Sequence, residues 1–180
     1  MKAVVIDTCC LINLYASQRL SAIVGASMEQ ALVPKPALDE CLYIRQPSEE
    51  NPNLLVPMRV NLRPLVDSGV CLSTELTGDV ELSQFVQLAA LIDDCEAACL
   101  AIAAGRGLAL ATDDKRAIQI ATDLGVSVLT TPELLKTWVQ RTSPPPHEVK
   151  GAITCIERYG RFRPHSLCAQ AQWWAEQKLL

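Results

Sequence analysis

Between residues 96 and 139 the chain reads helix, strand, helix, strand, helix, with Leu108-Ala109-Leu110-Ala111 and Val126-Ser127-Val128-Leu129 as the strands. Short apolar strands that alternate with helices are hidden on both faces, which argues for a parallel sheet clad by helices on both sides. The N-terminal run Ala3-Val4-Val5-Ile6 has the same character, and Leu32-Val33 and Gly69-Val70-Cys71-Leu72 are further short strands. The expected fold class is α/β.

Helices fill the intervals. Leu11, Leu14 and Tyr15 mark the first, and a second is expected over residues 21–31. Ala37, Leu38, Cys41, Leu42 and Ile44 have helical spacing after Pro36, which places Glu40 on a helix near its start. Residues 46–53 read as a polar loop and 54–66 as partly helical. Residues 80–92 are helical in period. Asp93 caps a helix over 93–104 that Gly105 stops, and residues 114–124 form another, stopped by Gly125. Thr131 caps the next, with Pro132 at its first position. Ser143-Pro144-Pro145-Pro146 divides a domain over residues 1–142 from a helical appendage over 143–180 packed on it, with helices near 147–159 and 165–178.

Acidic residues stand where these apolar runs stop. Asp7 closes the first strand, and Asp113 and Asp114 follow the strand ending at Ala111. Carboxylates at strand ends converge on one edge of a parallel sheet, where α/β folds place their ligands. Gathered carboxylates repel one another and call for a cation. Each acid also has a plainer reading: Asp7, Asp113 or Asp114 as a helix cap, Glu96 as part of a capping box with Asp93, and Glu40 as an exposed helix residue.

The chain has 180 residues, 49% hydrophobic and 4% aromatic, so a single aliphatic core is expected. No apolar run reaches membrane-spanning length, and the acid at position 7 arrives too early for a signal peptide; a cytoplasmic protein is expected. Residues 1–140 carry 10 basic and 17 acidic residues, whereas 141–180 carry 6 basic and 3 acidic. Eight cysteines, with no C-x-x-C pair, read as reduced thiols, mostly in apolar segments.

The acids also fall in a recognisable series. Val4-Val5-Ile6-Asp7-Thr8-Cys9-Cys10-Leu11-Ile12 resembles the opening of PIN-domain nucleases, and Val33-Pro34 through Asp39-Glu40-Cys41-Leu42 their second motif. Cys95-Glu96-Ala97-Ala98-Cys99 resembles the third, with Cys95 in place of the usual glycine, and Thr112-Asp113-Asp114-Lys115-Arg116-Ala117 the fourth. The resemblance covers roughly residues 1–140, is nearest to the VapC-like prokaryotic branch, and leaves the tail beyond Pro146 without a counterpart.

That resemblance implies a three-layer α/β/α sandwich with a central parallel sheet. It implies a Mg²⁺- or Mn²⁺-dependent ribonuclease whose acidic quartet is Asp7, Glu40, Glu96 and Asp114. Asp113 is a further ligand or a supporting group, and Thr8 and Thr112 are the small hydroxyl positions. It implies an RNA substrate and the toxin of a toxin–antitoxin pair, with a small antitoxin as partner. The alternatives are a catalytically silent domain that binds RNA or protein, and an RNA-processing nuclease without an antitoxin.

Other chemistry finds little support. Both histidines, His147 and His165, lie in the tail, and no G-x-S-x-G, P-loop or dinucleotide fingerprint occurs. Phosphatases and receiver domains also place an Asp after the first strand, but the further acids they need are missing around Asp7. Cations for RNA are expected at Lys115 and Arg116 and in the tail at Arg158, Arg161 and Arg163. There Tyr159 and Phe162 either stack on bases or pack inward. A homodimer is expected, with Trp173-Trp174 as a packing anchor within the chain or at a subunit contact.

Overall fold

All five apolar runs become strands of one parallel sheet. The computed structural model describes residues 3–40 and 42–179. The strands are β1 (Val4–Ile6), β2 (Ala31–Pro34), β5 (Cys71–Thr74), β6 (Ala109–Ala111) and β7 (Val128–Leu129), in the order β5-β2-β1-β6-β7. Every pairing is parallel, with Val4 opposite Ala31 and Ile6 opposite Ala111. Successive side chains of a strand point to opposite faces. Val4 and Ile6 accordingly join one hydrophobic cluster and Val5 the other.

The first cluster lies under α1 (Thr8–Ala16), α2 (Leu20–Ser27) and α8 (Thr131–Thr142), through Leu11, Leu14, Ile23, Leu134 and Trp138. The second lies under α5 (Gly78–Ala89), α6 (Asp94–Arg106) and α7 (Lys115–Asp123), through Leu88, Leu100, Ile102 and Ala121. The result is a three-layer α/β/α sandwich. Residues 97–103 of α6 are buried without a break, as befits a helix with neighbours on all sides.

The C-terminal segment adds α9 (Pro146–Cys155), a π-helical turn (Ile156–Gly160) and α10 (Ala171–Gln177). Val149, Ile153, Ile156 and Trp174 enter the same cluster as Ile6 and Leu11. Phe162 meets Trp174 edge-on at 6.1 Å, and the Trp174 indole N–H donates to Glu157 at 3.0 Å. Tyr159, Phe162 and both tail tryptophans therefore pack inward. No helix among the described residues is long and apolar enough to cross a membrane.

Several boundaries depart from the sequence reading. The helix expected over 21–31 ends at Ser27, because Ala31 pairs with Val4 and Cys71 in the sheet. The helix expected around residues 37–44 is only α3 (Lys35–Asp39); Glu40 is already extended, and Cys41 lies outside the described residues. Leu42 and Ile44 are buried while Tyr43 and Arg45 are exposed, a period of two. They lead into a hairpin of β3 (Tyr43–Pro47) and β4 (Leu55–Arg59), whose turn occupies part of the expected loop. After it, α4 (Arg63–Asp67) leads to β5.

Two caps also moved. Gly107, with φ of 62°, closes α6 in the left-handed conformation; Gly105 stays helical, its missing Cβ making room for Glu81. Thr130 precedes α8 and donates its N–H to Glu133 at 2.8 Å, leaving Thr131 inside the helix.

Candidate acidic centre

The direction of the chain across the sheet reverses between β1 and β6. From β1 it steps outward to β2 and β5, then returns to the other side of β1 as β6 and β7. Such a switch point opens a crevice at the carboxyl ends of the two central strands. Asp7 leaves β1 there, and Thr112, Asp113 and Asp114 leave β6. The Asp7 N–H still donates to the Ala111 carbonyl at 2.9 Å, which locks the two strand ends together.

Asp7 is 2% exposed and held by four donors. Oδ1 accepts from the Thr8 N–H at 2.7 Å and from Cys99 Sγ at 4.0 Å. Oδ2 accepts from the Thr112 hydroxyl at 2.8 Å and from Cys9 Sγ at 3.0 Å. Burial raises the Asp7 carboxyl above the usual range, and the hydrogen bonds pull it back. Burial and the Asp7 charge push the Cys9 thiol upward, so it stays a protonated donor.

Glu40 is brought in from β2 by α3. Its Oε2 accepts from the Thr8 hydroxyl at 3.1 Å and from Cys95 Sγ at 3.5 Å. It thus touches the residue after Asp7 and the residue before Glu96. The Cys95 thiol is pushed up to about 12 by burial and by the charge on Glu40.

Glu96 sits in the first turn of α6, whose cap is Asp93; Asp93 Oδ1 accepts the Glu96 N–H at 3.0 Å. Its carboxyl is raised to about 7, first by desolvation and then by the charges of Asp93, Asp114 and Asp7. Cys99 of the same helix donates to Asp7 and Thr112 bonds both Asp7 and Asp114, which sets the third and fourth motifs beside the first. Asp114 caps α7, its Oδ1 accepting from the Arg116 and Ala117 N–H groups at 2.8 Å. The Thr112 hydroxyl accepts the Asp114 N–H at 3.2 Å, so one side chain positions both Asp7 and Asp114.

Asp113 turns to other partners. Oδ1 accepts the Thr131 N–H at 2.9 Å, and Oδ2 accepts the Asn13 amide at 2.9 Å and the Thr131 hydroxyl. It ties α1 to the start of α8, and burial raises its carboxyl. Lys115 and Arg116 are exposed on the first turn of α7, next to Asp114. The tail cations are engaged within the tail: Arg163 pairs with Glu157 at 3.1 Å, and Arg158 lies 5.7 Å from the Tyr159 ring centroid. Arg161 is exposed, with φ of 59°.

Sequence reasoning overlooked Asp93 as a member of the cluster, seeing only its cap, and overlooked Asn13, Cys9 and Cys95 as its supports. The signal was present in part: Asp93 and Glu96 lie three apart at one helix start. The seven described cysteines are free, and Cys10, Cys71 and Cys99 among them are buried.

Among the described residues, no three His, Cys, Asp or Glu side chains already converge as a metal cage. The donor set is nonetheless suited to a hard cation: Asp7, Glu96 and Asp114 offer carboxylate oxygens, and their mutual repulsion at Glu96 is what a divalent ion would relieve.

A doubly wound parallel sheet with acids at its switch point defines an α/β/α domain built around an acidic centre. The chain belongs to the PIN-domain family: the model of DUF3368, described as a PIN domain, matches residues 3–176. The match takes in α9 and most of α10, so the tail beyond Pro146 has a counterpart after all. No curated protein and no solved structure matches the chain. PIN domains are generally nucleases and typically use divalent metal ions.

Proposed function

We propose that this chain is a cytoplasmic, divalent-metal-dependent endoribonuclease, with Asp7, Glu40, Glu96 and Asp114 as its acidic residues and Mg²⁺ or Mn²⁺ as its ion. The observation that carries the reading is the joining of the acids at the switch point: Thr8 links Asp7 to Glu40, and Thr112 links Asp7 to Asp114, with Glu96 raised by the nearby charges beside them. Carboxylates packed this closely cost stability on their own and are useful where a cation and a phosphate meet.

Asp7, Glu96 and Asp114 would hold the ion, which when bound supplies positive charge to the phosphate and makes a water more acidic. Asp7 is the fixed member, clamped by Thr8, Thr112 and two thiols. Glu40, exposed and steered by Thr8, orients the attacking water. Asp113 keeps the β6 end in place through α1 and α8 rather than facing the substrate.

The test is cleavage of single-stranded RNA in Mg²⁺ or Mn²⁺ by the wild type and by Asp7→Asn. Cleavage by the wild type and its loss in the variant are expected. Inert wild-type protein on varied RNAs, with no metal binding by calorimetry, overturns the reading. The narrower role of a toxin held by an antitoxin predicts growth arrest on expression, relieved by the same substitution.

A further inference from the structure

The β3–β4 hairpin leaves the fold directly from Glu40. The Leu42 N–H donates to the Glu40 carbonyl at 3.0 Å, and the Val60 N–H closes the hairpin base on Leu42 at 2.9 Å. Register sorts its side chains. Ile44 opposite Met58 faces the core, and Ile44 is 3% exposed. Tyr43 opposite Arg59, and Arg45 opposite Pro57, face outward. Cross-strand partners share a face, and residues two apart along a strand do too. Tyr43, Arg45 and Arg59 therefore form one patch, with Tyr43 52% exposed.

At the base of the hairpin lies a cleft of about 650 Å³ lined by Asp39 and Glu40 together with Arg59, Asn61 and Arg63. Arg45, Arg59 and Arg63 are exposed, and none has an ion pair among the described residues. Five other cations are neutralised locally, Arg19 by Glu148, Arg106 by Glu81, Lys35 by Glu75, and Arg163 and Lys178 by Glu157, so what sets the hairpin arginines apart is their place beside Glu40 rather than their lack of a partner. Acids do occur on the hairpin, at Glu49 and Glu50, but they sit in its turn, at the end away from Glu40.

We propose that the outward face of this hairpin and the cleft at its base form the track by which single-stranded RNA reaches the acidic centre, with Arg59 and Arg63 on the phosphates nearest Glu40, Arg45 on one further out, and Tyr43 stacked on a base. The inference rests on the nuclease reading for its destination but not for its binding chemistry. Charge complementarity selects the occupant. Unpaired guanidiniums on the hairpin and at the start of α4 match a polyanion, and an exposed aromatic beside them matches unstacked bases. A duplex would offer Tyr43 no free base face. The track also answers the acidic balance of residues 1–140: the repulsion that Asp7, Glu96 and Asp114 exert on a phosphate is offset by cations on the adjoining cleft wall.

The experiment measures binding of a fluorescein-labelled 20-nucleotide single-stranded RNA by anisotropy, on full-length protein in EDTA, across a salt series. Arg59→Gln with Arg63→Gln is expected to weaken binding at least tenfold. It should also flatten the salt dependence by about 0.7 for each phosphate that is no longer neutralised. Arg59→Lys with Arg63→Lys retains most of the affinity. Tyr43→Ala weakens binding several-fold with the salt slope unchanged, whereas Tyr43→Phe does not. Melting curves check that each variant stays folded. Unchanged affinity and salt slope in the double Gln variant overturn the proposal, as does an equal loss in the double Lys variant.

A second readout separates this inference from the nuclease reading. Hydrolysis of bis(p-nitrophenyl) phosphate, too small to span the hairpin, needs the acidic centre but not the length of the track. The double Gln variant is expected to lose at least tenfold more in RNA cleavage than in hydrolysis of this small diester. Weakened RNA binding in a protein that hydrolyses neither substrate keeps the track and sinks the nuclease. Intact RNA cleavage in the double Gln variant sinks the track and keeps the nuclease.

Discussion

Replacing Glu96 by Gln should make the metal-free protein more stable at alkaline pH. The Glu96 carboxyl is raised from an ordinary 4.5 to about 7 by desolvation and by the charges of Asp93, Asp114 and Asp7. A carboxyl raised on folding favours the folded state while it is protonated. Its contribution is complete below 4.5, declines as the pH rises, and is lost once the pH passes 7. That gap corresponds to about 3 kcal/mol at 1.36 kcal/mol per pH unit. Glu96 is partly open to solvent, so screening reduces the usable figure to about 1 kcal/mol. In a domain of this size, that raises the melting temperature by about 2–4 °C. The assay is thermal unfolding of the wild type and Glu96→Gln in EDTA at pH 8 and pH 4.5. The variant should melt higher at pH 8 and together with the wild type at pH 4.5. Added Mg²⁺ should raise the wild type more than the variant. A variant that melts level with or below the wild type at pH 8 refutes the crowding of Glu96 at the acidic centre.

Thr112→Val removes the hydroxyl that donates to Asp7 Oδ2 and accepts from the Asp114 N–H; urea unfolding should register a loss of about 2 kcal/mol, and Thr112→Ser should recover most of it. A Cβ at position 105 would stand 2.8 Å from Glu81 Cγ, so Gly105→Ala should destabilise by about 1–2 kcal/mol, read by the same titration. Gly151→Ala, in open space on α9, should instead stabilise by about 0.5–1 kcal/mol; equal behaviour at the two glycines would show that helix propensity outweighs the contact with Glu81.

The parallel sheet was legible because each of its strands is a short apolar run, and two-sided burial leaves no other use for such a run. The hairpin was not legible. Leu42 and Ile44 satisfy a period of two and, taken with Ala37, Leu38 and Cys41, a period near 3.6 as well. The deciding interaction, Val60 with Leu42, is closed by residues 18 apart. Gly105 was misread for a related reason: a glycine at a helix end suggests a stop, and only the packing of α5 on α6 reveals that it yields space to Glu81.

Capping and cation binding looked like rival explanations of the acids, yet the structure gives Asp7 and Asp114 a capping bond at the same edge where the carboxylates crowd. Asp7 takes the first N–H of α1, Asp93 an N–H of α6, and Asp114 two N–H groups of α7. Three helix N-termini therefore point their partial positive charge at one crevice. This is why several carboxylates can be assembled there before any ion arrives: each capping acid has a helix dipole to offset its neighbours. Glu96 has no such role. It stands within the first turn of α6 while Asp93 holds the cap, so it bears the repulsion that the others share out. The residue whose capping-box reading made it hardest to separate from a structural acid is thereby the one whose charge depends most on what the crevice holds.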